Sequence, residues 1–243
     1  MADCLIDSGN TRVKFARRES WQWQTIGVVD FDDPLFVERC LEFIDGGNFQ
    51  QVISASVSKG WRAERFALLL SNIRLPVLQI ETLSQMGRLQ IAYAQPKQLG
   101  VDRFLALLAA SEQEVACAIL SLGSAVTLDV LDADGVHRGG IIAPSPEFQW
   151  MTMRDHFSGL FETQGQPQKL ANNTLDALAS GIEHQLLGMV ERVMADAFSA
   201  QDAKLWVTGG AAQDWLARLP AYTEHAPEIL FNGMVRYIDL SGL

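Results

Sequence analysis

A short polar turn near the N-terminus carries the first side chains that could do chemistry. The apolar run Leu5-Ile6 leads into Asp7-Ser8-Gly9-Asn10-Thr11, and Arg12-Val13-Lys14-Phe15 then alternates polar with apolar residues. This pattern predicts two strands, 2–7 and 11–17, joined by a tight turn. An acid, hydroxyls and free backbone N–H groups in such a turn can hold a hydrated metal ion and a phosphate group. The alternative is an ordinary surface β-hairpin, because Gly and Asn also favour plain turns.

Two later turns have similar chemistry. Ser121-Leu122-Gly123-Ser124-Ala125 follows the apolar run 116–120, and Thr208-Gly209-Gly210 closes the predicted strand 205–208. Each turn alone is weak evidence, because most glycine-rich turns after strands are only turns. Together they are the pattern expected of a phosphate-binding cleft with two hairpin turns and a Gly-Gly turn on the nucleoside side.

A fourth segment, Tyr93 to Arg103, places an acid and a cation at the start of a predicted helix. Asp102 there could accept a proton from an alcohol during phosphoryl transfer. Arg103 could pair with a carboxylate through two parallel hydrogen bonds. The alternative is that Asp102 only caps the helix and Arg103 is solvated, because acids are common in first helical turns.

The elements around these segments repeat in order along the chain. Three strands followed by helix, strand and helix occur twice, which predicts an α/β fold of two related lobes, 1–114 and 115–243, with ligands at the strand ends facing a cleft. The predicted strands are 2–7, 11–17, 21–29, 51–55, 76–80, 116–120, 125–130, 136–142 and 205–208. The predicted helices are one from Asp32 to about 45, one from an N-cap at Ser58 to 70, then 100–111, 146–158, 173–198, 211–218 and 228–239.

Composition narrows the class of protein. The chain has 243 residues, 48% hydrophobic and 20% charged, with a formal net charge of −10. This charge argues against a nucleic-acid partner and against an anionic membrane surface. No apolar run approaches the ~20 residues that cross a bilayer. The cysteines Cys4, Cys40 and Cys117 share no metal-ligand spacing and are predicted to be reduced core residues, so with no visible signal peptide a cytoplasmic location is expected.

In their order and spacing, these segments resemble the type III pantothenate kinases, members of the acetate kinase/Hsp70/actin phosphotransferase superfamily. The resemblance spans nearly the whole chain, and Tyr93-x-x-Pro96 followed by Leu99-Gly100-Val101-Asp102-Arg103 is its most specific part. It implies a ribonuclease H-like or actin-like ATPase fold with a nucleotide cleft between the lobes. The other matching segments are 7–14, 123–129, Gly139-Gly140-Ile141-Ile142-Ala143-Pro144, Asn173-Thr174 with Ala177 and Gly181, and 208–210.

The resemblance implies ATP-dependent phosphorylation of pantothenate to 4′-phosphopantothenate, the first step of coenzyme A biosynthesis. It implies Mg²⁺ with ATP, a monovalent cation (K⁺ or NH₄⁺), and a homodimer with the active site at its interface. Asp102 becomes the proton acceptor and Asp7 the acid on the Mg²⁺ side. The implied ATP-phosphate residues are Asp7, Ser8, Gly9, Asn10, Thr11, Arg12, Val13, Lys14 and Ser124. The implied pantothenate-binding residues are Tyr93, Gly100, Val101, Asp102, Arg103 and Thr174.

The chain departs from the family pattern mainly at Ser121, where relatives have an aspartate associated with the monovalent cation. A neutral hydroxyl is a weaker ligand for a hard cation, which puts the cation dependence, ATP affinity and activity in question. Ile91, where many relatives have Asn, is a lesser departure.

Other functions therefore stay open. A catalytically weak or inactive paralogue that binds a ligand or a regulatory partner is the main alternative, and a kinase for another small alcohol is a third. The lone histidines His137 and His184 are predicted to be structural or solvated. His156 stays open because the family's dimer interface involves its region.

Overall fold

A computed structural model describes residues 2–157, 163–198 and 203–242. The strands are β1 (Ala2–Ser8), β2 (Arg12–Glu19), β3 (Gln22–Asp30), β4 (Phe49–Ser56), β5 (Val77–Gln79), β6 (Gln85–Met86), β7 (Leu89–Gln90), β8 (Cys117–Leu122), β9 (Ala125–Leu131), β10 (His137–Pro144), β11 (Lys204–Thr208) and β12 (Thr223–His225). The helices are α1 (Phe36–Asp45), α2 (Trp61–Asn72), α3 (Val101–Ser111), α4 (Pro146–His156), α5 (Thr174–Ala197), α6 (Ala212–Trp215) and α7 (Ile229–Ser241), with a short 3₁₀ turn at Pro96–Gln98.

The chain forms two compact units. The first comprises the chain up to Glu114, the segment Ala133–His137 and the C-terminal part from Glu228 onward, and the second comprises Val115–Asp132 and Arg138–Pro227. These units differ from the predicted division into 1–114 and 115–243 in two segments, which return to the first unit after the chain has entered the second.

The first unit is built on a five-stranded sheet in the order β3-β2-β1-β4-β5. β1 pairs antiparallel with β2 and parallel with β4, so that Asp7 lies opposite Lys14 on one side and Ala55 on the other. The alternating apolar residues of these strands pack against α1 and α2, and the packing drives folding because it removes their apolar surface from water. This core includes Ile6, Phe15, Phe31, Phe36, Ile44, Val52, Phe66 and Leu69.

The second unit has the same arrangement of strands as the first. Its sheet has the order β10-β9-β8-β11-β12, in which β8 pairs antiparallel with β9 and parallel with β11. The apolar residues of β8, β9 and β11 pack against one face of the long helix α5. This core includes Leu120, Leu122, Leu128, Leu186, Val190, Met194, Val207 and Trp215. The repeat predicted from the order of strands and helices is therefore present in the topology.

Helix α7 belongs to the first unit because it packs along α3. The rings of Phe104 and Tyr237 meet edge to face with centroids 6.4 Å apart. The buried guanidinium of Arg18 donates to Asp239 at 3.0 Å and to Asp3 at 2.7 Å, which joins α7 to the first two strands. A buried cation needs such partners, because its desolvation otherwise costs several kcal/mol.

Several predicted boundaries were wrong. The second helix begins at Trp61 with Gly60 as its N-cap, not at Ser58, whose hydroxyl instead hydrogen-bonds Ser56 at 2.8 Å. The first helix begins at Phe36, and the predicted helix 211–218 is one short turn, Ala212–Trp215. β12 was not predicted, since Thr223–His225 carries little apolar character. The predicted helix 146–158 extends to His156, and residue 158 lies outside the described residues.

The three cysteines are buried free thiols, as predicted. Burial raises the pKa of Cys4, Cys40 and Cys117 to about 12, so each stays a neutral apolar side chain at ordinary pH. No helix within the described ranges has the length and apolarity that a membrane span requires.

Candidate active site

Asp7 lies near the carboxyl end of β1, where the strand meets β2 and β4. Its carboxylate is 3.7 Å from the Lys14 ammonium, and the residue is only 7% exposed. The pKa of Asp7 is raised to about 6, chiefly by burial; Lys14 lowers this pKa, and the negative charge of Asp102 raises it. The site therefore carries an acid whose ionised form is poorly solvated. A bound cation would stabilise that form, so the site fits a divalent metal on the side of Asp7.

The turn after Asp7 is closed by a hydrogen bond from Gly9 N–H to Arg12 C=O at 3.1 Å. Asn10, Thr11 and Arg12 are exposed at its tip, whereas Ser8 is buried. The side chain of Val13 lies in the core of the first unit, so this residue could offer a phosphate only its backbone atoms.

Asp102 lies in the first turn of α3, and its Oδ1 accepts a hydrogen bond from Arg103 N–H at 2.8 Å. Gly100, the N-cap residue, leaves the space this carboxylate occupies, because a Cβ on Gly100 would lie 2.5 Å from Asp102 Oδ1. The buried hydroxyl of Thr82 donates to Leu99 C=O at 3.0 Å and fixes the loop just before Gly100.

Arg103 and Tyr93 form a cationic and aromatic pair beside Asp102. The Arg103 guanidinium donates to the Tyr93 hydroxyl at 3.3 Å, and its Cζ lies 5.9 Å from the centre of the Tyr93 ring. Arg103 is 7% exposed and is not the solvated cation of the alternative interpretation. Val101 is buried as well. Within the first unit, the structure therefore brings a carboxylate and a buried guanidinium onto one helical turn.

Gly100→Ala is expected to lower kcat for the phosphorylation of pantothenate that the family resemblance implies. The expected decrease is at least about tenfold, with little loss of stability. The new methyl group would force the Asp102 carboxylate out of its position, and misplacement of a reacting group by about 1 Å can cost 10²-fold in rate. Steady-state kinetics and thermal unfolding measure the two effects. Gly188→Ala is the matched control, since nothing lies within 4 Å of a Cβ there. Equal kinetics of the two variants would contradict this role of Gly100.

The second unit carries a turn like that after β1. Gly123 N–H donates to Ala125 C=O at 3.1 Å, and Gly123 and Ser124 are exposed. Ser121 lies opposite Thr127 on β9 and Thr208 on β11, so three hydroxyl residues share one level of the sheet. Gly209 packs its Cα against Leu122, where a Cβ would lie 2.4 Å from Leu122 C=O. A side chain at 209 would therefore push the two turns apart.

A cavity of about 440 Å³ opens in the second unit beside these turns. Its walls combine two indole rings with polar groups, a composition suited to an aromatic base and its sugar. Arg218 and Glu183 form an ion pair at 3.1 Å at its edge. Its principal lining residues are Gly123, Trp150, Glu183, Asp214, Trp215 and Arg218.

Thr174 is exposed at the first position of α5, in the second unit. Asn173 caps this helix by accepting a hydrogen bond from Asp176 N–H at 3.0 Å. The predicted site residues thus fall into two groups, with Asp7, Lys14, Tyr93, Asp102 and Arg103 in the first unit. Ser121, Ser124 and Thr174 belong to the second.

Comparison with known proteins shows the family to which the chain belongs. The family model of the type III pantothenate kinases matches residues 4–196. A type III pantothenate kinase from Stenotrophomonas maltophilia is 31% identical over 247 residues, covering 98% of this chain and 97% of the relative. The chain belongs to the type III pantothenate kinase family. The matched region includes the turns after β1 and β8 and the Tyr93–Arg103 segment, while Thr208-Gly209-Gly210 lies beyond it.

Solved structures give the fold of this pantothenate kinase family member. A conserved protein from Campylobacter jejuni that is assigned to the Baf family of transcriptional activators superposes with a TM-score of 0.61 at 21% identity, covering 98% of both chains. The activator of the 2-hydroxyisocaproyl-CoA dehydratase from Clostridium difficile, with bound ADPNP, gives 0.54 at 10% identity, covering 97% of this chain and 92% of that one. The predicted actin-like ATPase fold is confirmed.

Some residues beside the site were not assigned to it from the sequence. Thr82 holds Leu99 from a position 17 residues earlier, and Trp150 and Trp215 come from distant helices to line one cavity. His137 packs on Tyr93 across 44 residues of sequence. Each contact depends on tertiary packing, and no local spacing signals it. Within the described residues no cluster of three or more His, Cys, Asp or Glu side chains is arranged for a metal ion.

Proposed function

We propose that the protein transfers the γ-phosphoryl group of ATP to the terminal hydroxyl of pantothenate, giving 4′-phosphopantothenate and ADP, the first step of coenzyme A biosynthesis. The hydroxyl oxygen forms a bond to the γ-phosphorus as the bond to the ADP oxygen breaks. The hydroxyl proton goes to Asp102. The observation that carries the proposal is the grouping of Asp102, Arg103 and Tyr93 at the start of α3 in a chain of this family.

The chemistry of the substrate matches this group. Pantothenate has a primary alcohol at one end and a carboxylate at the other. Arg103 supplies a fixed guanidinium for the carboxylate, and the Tyr93 hydroxyl beside it adds a second polar contact. Asp102 is a carboxylate that can take a proton as the oxygen attacks, and phosphoryl transfer otherwise needs mainly positioning and charge stabilisation.

The nucleotide is assigned to separate features of the two units. In the first unit, Asp7 would hold Mg²⁺, and Lys14 with the N–H groups of the turn would face phosphate oxygens. In the second unit, the turn at Gly123-Ser124 faces phosphate and the cavity between Trp150 and Trp215 takes the nucleoside. The bound ADPNP of the Clostridium difficile dehydratase activator, which shares the fold, supports ATP as the phosphoryl donor. When bound, Mg²⁺ neutralises charge on the transferred phosphoryl group.

A coupled ADP-release assay tests the proposal. ADP formation is expected with pantothenate and MgATP, and not when pantothenate is replaced by alcohols that lack its carboxylate. A small alcohol that turns over faster than pantothenate would instead favour a kinase of different specificity. No ADP release with pantothenate, at saturating Mg²⁺ and with or without K⁺ or NH₄⁺, would contradict the proposal.

Ser121 makes the cation requirement a separate question. We expect K⁺ and NH₄⁺ to stimulate the wild-type enzyme less than twofold, because a serine hydroxyl is a weak ligand for a hard cation. Ser121→Asp is expected to introduce a clear monovalent-cation dependence of kcat/KM for ATP, and Ser121→Ala to leave the weak dependence unchanged. Titration with KCl and NH₄Cl at constant ionic strength measures both. Strong stimulation of the wild type by K⁺ would contradict this expectation.

A homodimer is part of the proposal. The second unit exposes a group of large apolar side chains around the ends of β10 and α4, where Ile142 is 66% and Phe148 58% exposed, with Ile141 and Met151 nearby in sequence. A groove of about 350 Å³ between α4 and α5 lies beside them. Apolar groups concentrated in this way favour burial against a partner, and a symmetric dimer uses the same surface twice.

Subunit mixing tests whether Thr174 completes the partner's site. Asp102→Asn and Thr174→Val are each expected to lower activity, the second through a higher KM for pantothenate. If Thr174 serves the partner's active site, mixed dimers carry one intact site, and an equimolar mixture regains about a quarter of wild-type activity. A mixture no more active than the mean of the two variants would show that both residues serve the same chain's site. Sedimentation of the wild type as a monomer would exclude the dimer.

The alternative function is a ligand-binding or regulatory accessory protein without turnover. The structural likeness to the Baf family transcriptional activator and the serine at 121 favour it. The same ADP-release assay separates the two, because an accessory protein would bind ATP or pantothenate in calorimetry and yet release no ADP.

A further inference from the structure

A segment from the middle of the chain packs beside Tyr93 in the first unit. Residues Ala133–His137 span most of the connection after β9 and the first residue of β10. They belong to the first unit, although the chain before and after them belongs to the second. Gln90 N–H donates to Gly135 C=O at 3.0 Å, and Gln90 pairs with Val136 as an isolated parallel bridge. Arg88 also donates to Ala133 C=O at 3.3 Å. The segment is therefore attached to residues 88–90, just before Tyr93.

Gly135 makes this attachment close. Its φ of +89° lies in the left-handed region, and a Cβ there would lie 2.5 Å from Arg88 C=O. Any other residue would strain the turn and push the backbones apart. The position of His137, two residues later, is thus set by backbone contacts to the strand that leads towards Tyr93.

His137 is 1% exposed, and its ring lies nearly parallel to the ring of Tyr93, with centroids 6.0 Å apart and planes inclined by 16°. Tyr93 itself is half-buried and accepts the hydrogen bond from Arg103. One flat ring against another limits the rotation of the tyrosine side chain, since an offset stack has a preferred orientation. The contact therefore restricts where the Tyr93 hydroxyl points.

We propose that His137 is a positioning residue for substrate binding, which holds the Tyr93 ring and thereby the hydroxyl that pairs with Arg103. It acts through Tyr93 and does not touch the substrate. The inference rests on the proposed function, because Tyr93 and Arg103 are assigned there to pantothenate. It predicts that the shape of the His137 side chain controls affinity for the acceptor and has little influence on the nucleotide.

Two variants separate the flat ring from mere bulk. His137→Leu fills the space without a ring, and His137→Phe keeps one. In His137→Leu, KM for pantothenate is expected to rise about five- to tenfold, while KM for ATP and kcat change less than twofold. In His137→Phe, KM for pantothenate is expected to stay close to the wild-type value. If His137→Leu does not fold, His137→Asn, which is smaller and also lacks the stacking ring, replaces it.

A second readout does not depend on activity. The chain has 3 tyrosines, so tyrosine-labelled protein gives few ring signals in NMR spectra, and Tyr93→Phe identifies the signal of Tyr93. That signal is expected to shift in His137→Leu, as the ring current of the neighbour is lost, and to move back towards the wild-type position in His137→Phe.

The two readouts distinguish failure of the inference from failure of the proposed function. An unchanged Tyr93 signal in His137→Leu would overturn the inference whatever the substrate. A shifted signal with an unchanged KM for pantothenate would also overturn it, because the ring would then be held without consequence for binding. Absence of pantothenate turnover in the wild type would refute the proposed function and with it the substrate role of His137, while the NMR shift would still report the stacking contact.

Discussion

Asp102→Asn is expected to lower kcat for pantothenate phosphorylation by about 10²- to 10⁴-fold, the usual contribution of a positioned general base. Asparagine has nearly the same shape, and its amide oxygen can still accept the hydrogen bond from Arg103 N–H that Asp102 Oδ1 accepts at 2.8 Å. The helix start is therefore expected to stay intact, while the side chain loses its ability to take up a proton. Steady-state kinetics measure the effect, and calorimetry with ATP checks that the nucleotide still binds.

Glu64→Gln is the matched control for Asp102→Asn. Glu64 also lies in the first turn of a helix in the first unit, on α2, and its substitution makes the same change of charge. We expect it to leave kcat unchanged, so that a loss confined to Asp102→Asn reports proton transfer and not the charge of a helix N-terminus. Turnover of Asp102→Asn within about threefold of wild type would remove Asp102 from the chemical step.

Asp7→Asn is expected to stabilise the metal-free, nucleotide-free protein while it impairs catalysis. The pKa of Asp7 is raised from 3.8 to about 6, chiefly by burial. The folded state then holds its proton to higher pH than the unfolded chain, so the Asp7 contribution to the free energy of unfolding falls as pH rises from about 4 to about 6. About two pKa units correspond to about 3 kcal/mol, so at pH 7 the neutral variant is expected to be more stable by up to about 3 kcal/mol.

The measurement is urea unfolding in EDTA across that pH range, with wild type and variant compared at each pH. The difference in the free energy of unfolding should be small near pH 4 and grow until about pH 6, whatever other groups titrate in both proteins. Asp45→Asn, at an exposed acid ending α1, should show no such growth. A difference independent of pH would show that Asp7 ionises normally.

Asp7→Asn is also expected to lower kcat/KM for MgATP about 10²-fold or more, because this variant lacks the carboxylate assigned to the metal. Stability and activity then change in opposite directions. That combination is characteristic of an acid kept in a poor environment for a functional reason. A variant that is more stable and fully active would place Mg²⁺ elsewhere.

Much of this arrangement could be predicted from the sequence because it is local. The turn after β1, the turn after β8 and the start of α3 each depend on residues within about ten positions, where Gly, Asn and acids have strong conformational preferences. The alternation of apolar residues around Val13 and Phe15 was enough to place the first hairpin.

What could not be predicted depends on contacts between distant segments. α7 belongs to the first unit because Tyr237 packs on Phe104 and Asp239 accepts a hydrogen bond from Arg18. No feature of the C-terminal sequence predicts those partners. His137 was predicted to be structural or solvated and is buried, but no spacing in the sequence indicates that its ring lies against Tyr93. The raised pKa of Asp7 likewise comes from burial, which a hairpin pattern alone does not reveal.

The most direct test of the central claim is product analysis by mass spectrometry after incubation with pantothenate, ATP and Mg²⁺. The wild-type protein is expected to convert pantothenate to a product heavier by one phosphoryl group that co-elutes with authentic 4′-phosphopantothenate. Asp102→Asn, at equal concentration, is expected to yield little or none in the same time. Pantothenate recovered unchanged from the wild-type reaction, with the protein folded and ATP bound, would contradict the assignment of this site as a pantothenate kinase.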